Sequence, residues 1–247
     1  MNRILLEHAE LDEAGRVRLD GRRARHVLDV LKAVPGQTVR VGVINGPPGT
    51  GTVLAAAAGS VTLDCAFEGA APPAPAVDVL LALPRPKVLR RLWPALASLG
   101  VGRIVLVNAA EVDRCYFDTH WLDPAHYRPL LLEGLEQSGD TRVPDVQVRR
   151  RLKPFVEDEL DAAFPEGLRM AADPRAAGSA LDLARTRPAR ALVAVGPEGG
   201  WTPFELDLLA RKGFVAVTLG WRTLRSDTAA IALVAMAHQL VAQRSAT

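Results

Sequence analysis

The 247 residues include only two cysteines, Cys65 and Cys115, far apart and outside any Cys-x-x-Cys spacing. That excludes a disulfide-stapled scaffold and a thiolate metal cluster, and it is the pattern of reduced thiols in a cytoplasmic protein. The five histidines (His8, His26, His120, His126, His238) form no His-Glu-x-x-His or comparable pair, so no metal is expected. Aromatic residues make up 5% of the chain, which argues against an all-β binding sandwich and for a helix-rich α/β fold. No apolar run approaches the roughly 18 residues that a membrane span requires. The opening Met1-Asn2-Arg3-Ile4-Leu5-Leu6-Glu7-His8 breaks off after three apolar residues, which reads as no signal peptide and no membrane partner. Net charge is nearly absent too, at a formal +2, so bulk charge does not announce a nucleic acid.

With 49% hydrophobic and 23% charged residues, the chain is that of a globular protein able to bury a core. Its length allows one large domain or two unequal ones, and Gly69-Ala70-Ala71-Pro72-Pro73-Ala74-Pro75-Ala76 is too rich in proline for helix or strand. We therefore expect an N-terminal domain over 1–70, a linker over 71–76 and a C-terminal domain over 77–247. The cations are clustered although the total is balanced. Between Gly15 and Arg40, seven of them, including Arg22, Arg23 and Arg25, stand against Asp20 and Asp29. Arg85, Lys87, Arg90 and Arg91 form a second group, and Arg149, Arg150, Arg151 and Lys153 a third. Such clusters suit either phosphates or a plainly solvated face.

Thr38–Val43, Thr50–Leu54 and Ser60–Cys65 read as strands, the middle one preceded by the turn Asn45-Gly46-Pro47-Pro48-Gly49. A helix capped by Asp20 places Ala24, Val27, Leu28 and Leu31 on one face and leaves the arginines largely on others. The sum is a small β-barrel whose helix displays arginines. After the linker, strands at Val77–Leu83, Ile104–Val107, Val146–Val148, Leu168–Ala171, Ala191–Val195 and Phe214–Leu219 alternate with helices. These helices open at Pro86 (with Pro94 as a kink), at Asp123-Pro124 and at Thr202-Pro203, and the last runs from Ser226 to Gln243. That order predicts a mostly parallel sheet covered on both faces.

Ligands of such sheets sit where strands end. Gly196-Pro197-Glu198-Gly199-Gly200 follows one strand and precedes a capping box, Thr202-Pro203-Phe204-Glu205. It is a ligand loop or merely a tight turn. It matches neither the dinucleotide fingerprint nor the phosphate loop, so a group bound through backbone, such as an adenosine, fits better than a phosphate. The second loop, Leu219-Gly220-Trp221-Arg222-Thr223-Leu224-Arg225-Ser226-Asp227-Thr228, puts two arginines beside a helix N-terminus, where cations are unfavourable unless they meet an anion or Asp227 compensates them.

These two loops together resemble the cofactor loops of SPOUT RNA methyltransferases, and in particular the RsmE family, which methylates ring nitrogen 3 of a uridine in 16S ribosomal RNA. Ser98-Leu99-Gly100-Val101-Gly102-Arg103-Ile104, Asp113-Arg114-Cys115, Glu136-Gln137-Ser138-Gly139-Asp140 and Arg25-His26-Val27-Leu28 are similar to further family segments in the same order. The resemblance implies a PUA-like N-terminal barrel, a SPOUT α/β domain with a C-terminal trefoil knot, and a homodimer. It implies S-adenosylmethionine held by Gly196, Glu198, Gly199, Gly200, Leu219, Gly220, Leu224 and Thr228. The catalytic candidates are Arg225, Arg222, Asp227 and Arg114, one arginine meeting the charge that develops on the uracil oxygens and Asp227 orienting it. Small-subunit ribosomal RNA would lie against Arg22, Arg23, Arg25, Arg85 and Lys87. The chain departs from the family pattern at Trp221 for proline, at Asp227 for glutamate, at Ala95 and Ser98 for a lysine and a glutamate, and at Asp140 for an arginine. A SPOUT enzyme of another RNA site and a non-catalytic RNA-binding relative are the competing readings, and a nicotinamide dehydrogenase is disfavoured by the missing fingerprint.

Overall fold

The computed structural model describes residues 2–57 and 59–242, which divide into two compact units. The first is Met1–Ala74 together with Leu131–Val143; the second is Pro75–Leu130 together with Pro144–Thr247. Chain order alone did not suggest that residues 131–143 would join the N-terminal unit. Among the described residues no helix is long and apolar enough to cross a membrane.

The first unit contains β1 (Ile4–Leu6), β2 (Arg16–Leu19), α1 (Gly21–Arg25), β3 (Thr38–Val43), β4 (Pro48–Ala57) and β5 (Ser60–Phe67). They make a five-stranded sheet in the order β1-β3-β4-β5-β2, with β1 parallel to β3 and the rest antiparallel. Ile4, Leu6, Val17, Leu19, Val41 and Leu63 fill its core beside Ala24 and Val27. Alternation explains the core: in β2 the burial runs exposed, buried, exposed, buried, so the two arginines face out while Val17 and Leu19 face in. Several expectations need correction. No pairing joins β1 to β2 among the described residues, so the ladder does not close into a barrel; both edge strands are only three or four residues long. Asp20 stands at the N-cap but makes no side-chain cap bond, and its carboxylate lies 3.6 Å from Arg18 Nε instead. The helix also passes into a π-helical turn over His26–Val30, which shifts the phase of the residues after it and leaves Leu31 46% exposed where regular periodicity predicts burial. The expected turn is shorter as well, because Pro48 and Gly49 already pair with β3 and Gly49 with β5.

The second unit holds β6 (Val77–Ala82), α2 (Pro86–Ser98), β7 (Val101–Val107), α3 (Pro124–Ser138, whose end groups with the first unit), β8 (Asp145–Arg149), α4 (Leu152–Pro154), α5 (Leu160–Ala163), β9 (Leu168–Ala172), β10 (Ala191–Val195), α6 (Pro203–Arg211), β11 (Phe214–Val217) and α7 (Ser226–Ala242). The expected end of the last helix at Gln243 lies outside the described residues. Six strands in the order β11-β9-β10-β6-β7-β8 form a wholly parallel sheet. β6 and β10 are buried at every position, as apolar strands between helical layers must be. α7 packs on both of these central strands. Non-consecutive neighbours at β10 and β6 mark a crossover in the strand order, the place where such sheets open a crevice at their carboxyl ends.

Both cysteines are free thiols, and burial, with the charge of Asp64, pushes the Cys65 thiol up to about 11.

Candidate functional site

Three loops leave neighbouring strands of the parallel sheet at the same end and line one pocket. After β9 come Asp173 and Pro174, beside Ala172 at the strand's end; after β10, Gly196 to Gly200; after β11, Leu219, Gly220, Arg222, Thr223 and Leu224, with Ser226 and Ala229 of α7 completing the wall. The lining is apolar at Val195, Val217, Leu219, Leu224 and Ala229, with carboxylates at Asp173 and Glu198. Gly220 has φ +107°, a conformation that side-chain-bearing residues rarely adopt, and its carbonyl accepts from the Thr218 hydroxyl at 2.9 Å. Gly196 needs no unusual φ, but a Cβ there would stand 3.2 Å from the indole of the buried Trp201. The Thr202–Glu205 capping box fixes the exit of the second loop, and Glu205 Oε1 also accepts the Ala110 amide at 2.8 Å, tying the loop after β7 to α6.

The electrostatics centre on Asp227. Its Oδ2 accepts from Arg91 Nη2 at 2.7 Å, its Oδ1 accepts the Thr228 amide at 3.0 Å, and Arg225 Nε lies 3.6 Å away. Burial by itself would raise this carboxyl, but the hydrogen bonds from Arg91 and Thr228 and the charge of Arg225 outweigh it and hold the group below the usual carboxylate range. Asp227 is therefore a poor proton acceptor and a good anchor for arginines. The Arg225 side chain is 69% exposed, while its backbone carbonyl accepts the Ala229 amide and so opens α7. Arg222 stacks its guanidinium over the Trp221 ring, 4.1 Å from the centroid. On the other side, Glu198 Oε1 accepts from the Arg85 amide at 3.4 Å, with Arg85 Nε 3.9 Å away.

Gly196, Glu198, Gly199, Gly200, Leu219, Gly220 and Leu224 all line the pocket, as does Arg222. Thr228 does not; it stands on the first turn of α7, outside the lining. Arg225 and Asp227 stand next to the pocket without lining it. Arg114 is exposed and lines a different hollow with Arg151, Lys153, Asn108 and Phe204. Arg85 and Lys87 flank a shallow depression with Arg91 and Tyr116. In the first unit Arg23 is held by both carboxylate oxygens of Glu10, at 2.5 and 3.0 Å, and by the Leu5 carbonyl. Arg22 pairs with the buried carboxylate of Glu136 at 2.6 Å, and Arg25 is exposed. Two members of the site were missed from the sequence. Arg91 lies 136 positions from its partner, beyond any local motif. Asp173 was within reach, since the strand-end rule that selected the other two loops applies equally after β9.

Comparison with known proteins agrees with this architecture. Residues 72–238 match the RNA methyltransferase domain family. A ribosomal RNA small subunit methyltransferase E of Treponema pallidum is 31% identical, over 96% of this chain and 90% of its own length. One of Mycobacterium bovis is 26% identical over 86% of this chain and 82% of its own. The crystal structure of the Neisseria gonorrhoeae protein of that name, bound to S-adenosylmethionine, superimposes with a TM-score of 0.75, covering 97% of this chain and 98% of its own, at 24% identity. With the domain spanning most of its length and a relative matched almost end to end, the chain belongs to the ribosomal RNA small subunit methyltransferase E family.

Proposed function

We propose that this protein transfers a methyl group from S-adenosylmethionine to ring nitrogen 3 of a uridine in 16S ribosomal RNA. The observation that carries the reading is the convergence of three strand-end loops on one pocket, with a glycine cradle, an apolar wall and an arginine-rich rim. Its residues suit the cofactor: the apolar wall of Val195, Val217 and Leu219 accepts a flat adenine and glycine backbone at 196, 199, 200 and 220 allows close approach, while the lining carboxylates Asp173 and Glu198 are each paired with an arginine, Arg175 at 3.1 Å and Arg85 at 3.9 Å, and would meet a cationic ligand only in competition with it. The bound cofactor supplies an electrophilic methyl group on a sulfonium. Arg225, steered by Asp227 from the rim, meets negative charge spreading onto the uracil oxygens as the N3 proton departs to solvent water, with Arg222 in the pocket lining as the second cation. Asp227, doubly bonded by Arg91 and the Thr228 amide, orients rather than abstracts.

In the same reading, the N-terminal domain expected over 1–70, which residues 131–143 join in the structure, is PUA-like and binds RNA, 71–76 is a linker, and 77–247 without that segment is a SPOUT domain whose last helix threads a loop to make a trefoil knot. Exposed Arg25, Arg85 and Lys87 serve RNA directly. Arg22 and Arg23 serve it only as far as their carboxylate partners release them. Two copies pair through α7, which carries no Asp, Glu, Lys or Arg after Asp227 and leaves Ile231 40% exposed. The test is mass-spectrometric nucleoside analysis of 16S ribosomal RNA from cells with and without the protein. Loss of 3-methyluridine at one position is the expected result, and an unchanged nucleoside profile would sink the reading.

A further inference from the structure

Trp221 has no folding role that the structure reveals. It is 83% exposed, the highest value among the exposed large hydrophobic side chains of the described residues, and it sits in the loop that walls the pocket. Its neighbour Arg222 reaches into that wall and lays its guanidinium over the indole at 4.1 Å, so the ring is fixed to the pocket rim through a cation–π contact. An arginine on one face orients the indole and, at this exposure, leaves most of the ring surface open.

From this geometry we infer that Trp221 is a stacking platform for a nucleobase of the RNA substrate, beside the pocket mouth. The inference rests on the proposed RNA methyl transfer and adds to it the residue that positions the substrate. A nucleic acid is the occupant that satisfies all the neighbours together. Its bases present flat π-faces to the indole, and its negative charge, on the phosphates and on the reacting uracil oxygens, meets the rim cations Arg91 at 57% side-chain exposure, Arg222, and Arg225 at 69%. A protein partner could supply a carboxylate to one of these arginines, but a nucleic acid brings a flat ring and a row of negative charges together, which is what an exposed indole among several arginines matches. Any base can stack, so the platform contributes affinity and orientation, and the choice of nucleotide is left to groups deeper in the pocket.

The experiment uses the full chain and small ribosomal subunits from cells lacking the protein. Trp221→Ala should raise KM for subunits by roughly tenfold or more, the scale of one lost base–aromatic stack, with a smaller change in kcat. Trp221→Phe should recover most of that loss, because a phenyl ring still stacks. Affinity for S-adenosylmethionine by calorimetry and the sedimentation coefficient should stay at wild-type values in both variants. An alanine variant with wild-type KM overturns the inference. So does one whose cofactor affinity falls in parallel, which would make the ring a prop for the loop, or one whose sedimentation changes, which would make it a subunit contact. A wild-type chain that methylates no subunit defeats the proposed function and this inference with it, whereas an active wild type beside an indifferent alanine variant defeats the inference alone.

Discussion

Gly199 and Gly220 look alike in the sequence, each a glycine in a strand-end loop, yet they resist substitution for different reasons. At Gly220 the φ of +107° forbids a β-branched residue although the space around it is open. At Gly199 the backbone is ordinary and a Cβ would press on Cβ and Cγ of Glu111 at 3.2 Å, a contact relieved only by a shift of a few tenths of an ångström in the loop that carries Glu111. Gly220→Val should therefore lower both the melting temperature and the affinity for S-adenosylmethionine. Gly199→Val should lower affinity with a smaller loss in melting temperature than Gly220→Val, and equal melting losses in the two would show that the distinction is wrong. The arginine candidates separate in the same way. Arg225→Ala should lose about a hundredfold in single-turnover methylation at saturating cofactor, on the scale of one preorganised donor, and Arg225→Lys should keep part of it. Because the folded-state pKa of Asp227 is depressed, its contribution to stability is fully present above the ordinary carboxylate range and is lost as pH falls through the depressed value. Wild type and Asp227→Asn should accordingly differ in melting temperature at neutral pH and converge in strong acid; a difference that persists there would remove the ion pairs as its source. The loops were legible because glycine and capping residues announce themselves locally, whereas Arg91 was not, since its role depends on a partner far along the chain.

Helix α6 shows what an element reveals and what it hides. Thr202, Pro203 and Glu205 spell its start within four residues, and the structure has the reciprocal capping bonds that this spelling predicts. The second duty of Glu205, accepting the Ala110 amide after β7 while 5% exposed, is set by the order of strands in the sheet and has no local signature. Glu205→Ala leaves that amide and the Thr202 amide without their acceptor, so it should cost about 2–4 kcal/mol in denaturant unfolding, against about 1 kcal/mol for Thr202→Ala, which removes the cap alone. Equal costs would mean that the tie to β7 contributes nothing. The elements that the sequence did not reveal are the short or irregular ones. β1 and β2 have three and four residues, too few for alternation to register, and the Leu152–Ala163 segment is interrupted by a π-helical stretch over Phe155–Glu159 that disturbs the 3.6-residue period.

At the scale of the whole chain, the alternation of apolar strands with capped helices was enough to give the parallel sheet, because strands buried on both faces leave continuous apolar runs. What the order of residues concealed is that the N-terminal unit is not a continuous stretch. The amides of Asn2 and Arg3 both donate to the Glu136 carbonyl, at 2.7 and 3.1 Å, and Arg22 pairs with the carboxylate of that same residue, which is 3% exposed. The Thr141 hydroxyl donates to the Gly46 carbonyl and the Thr141 carbonyl accepts the Asn45 amide, both at 2.7 Å, and Arg142 reaches the Pro72 carbonyl at 2.6 Å. These bonds lie on the β1 end, the β3–β4 turn and the proline-rich stretch, the parts of the unit with the least sheet pairing of their own. Residues 1–76 expressed alone would keep the core of Leu6, Val41 and Leu63 but lose every one of these bonds, along with the buried Leu131 and Leu135 of the missing segment. We expect that fragment to melt well below the intact chain and to lose amide-exchange protection first at Leu5, Val43 and Ile44. Within the intact chain Glu136→Ala, by removing one charge-assisted bond, should cost about 1–3 kcal/mol. A fragment that melts with the intact chain's transition, or protection at Ile44 that survives the truncation, would show that residues 131–143 decorate the N-terminal unit without holding it together.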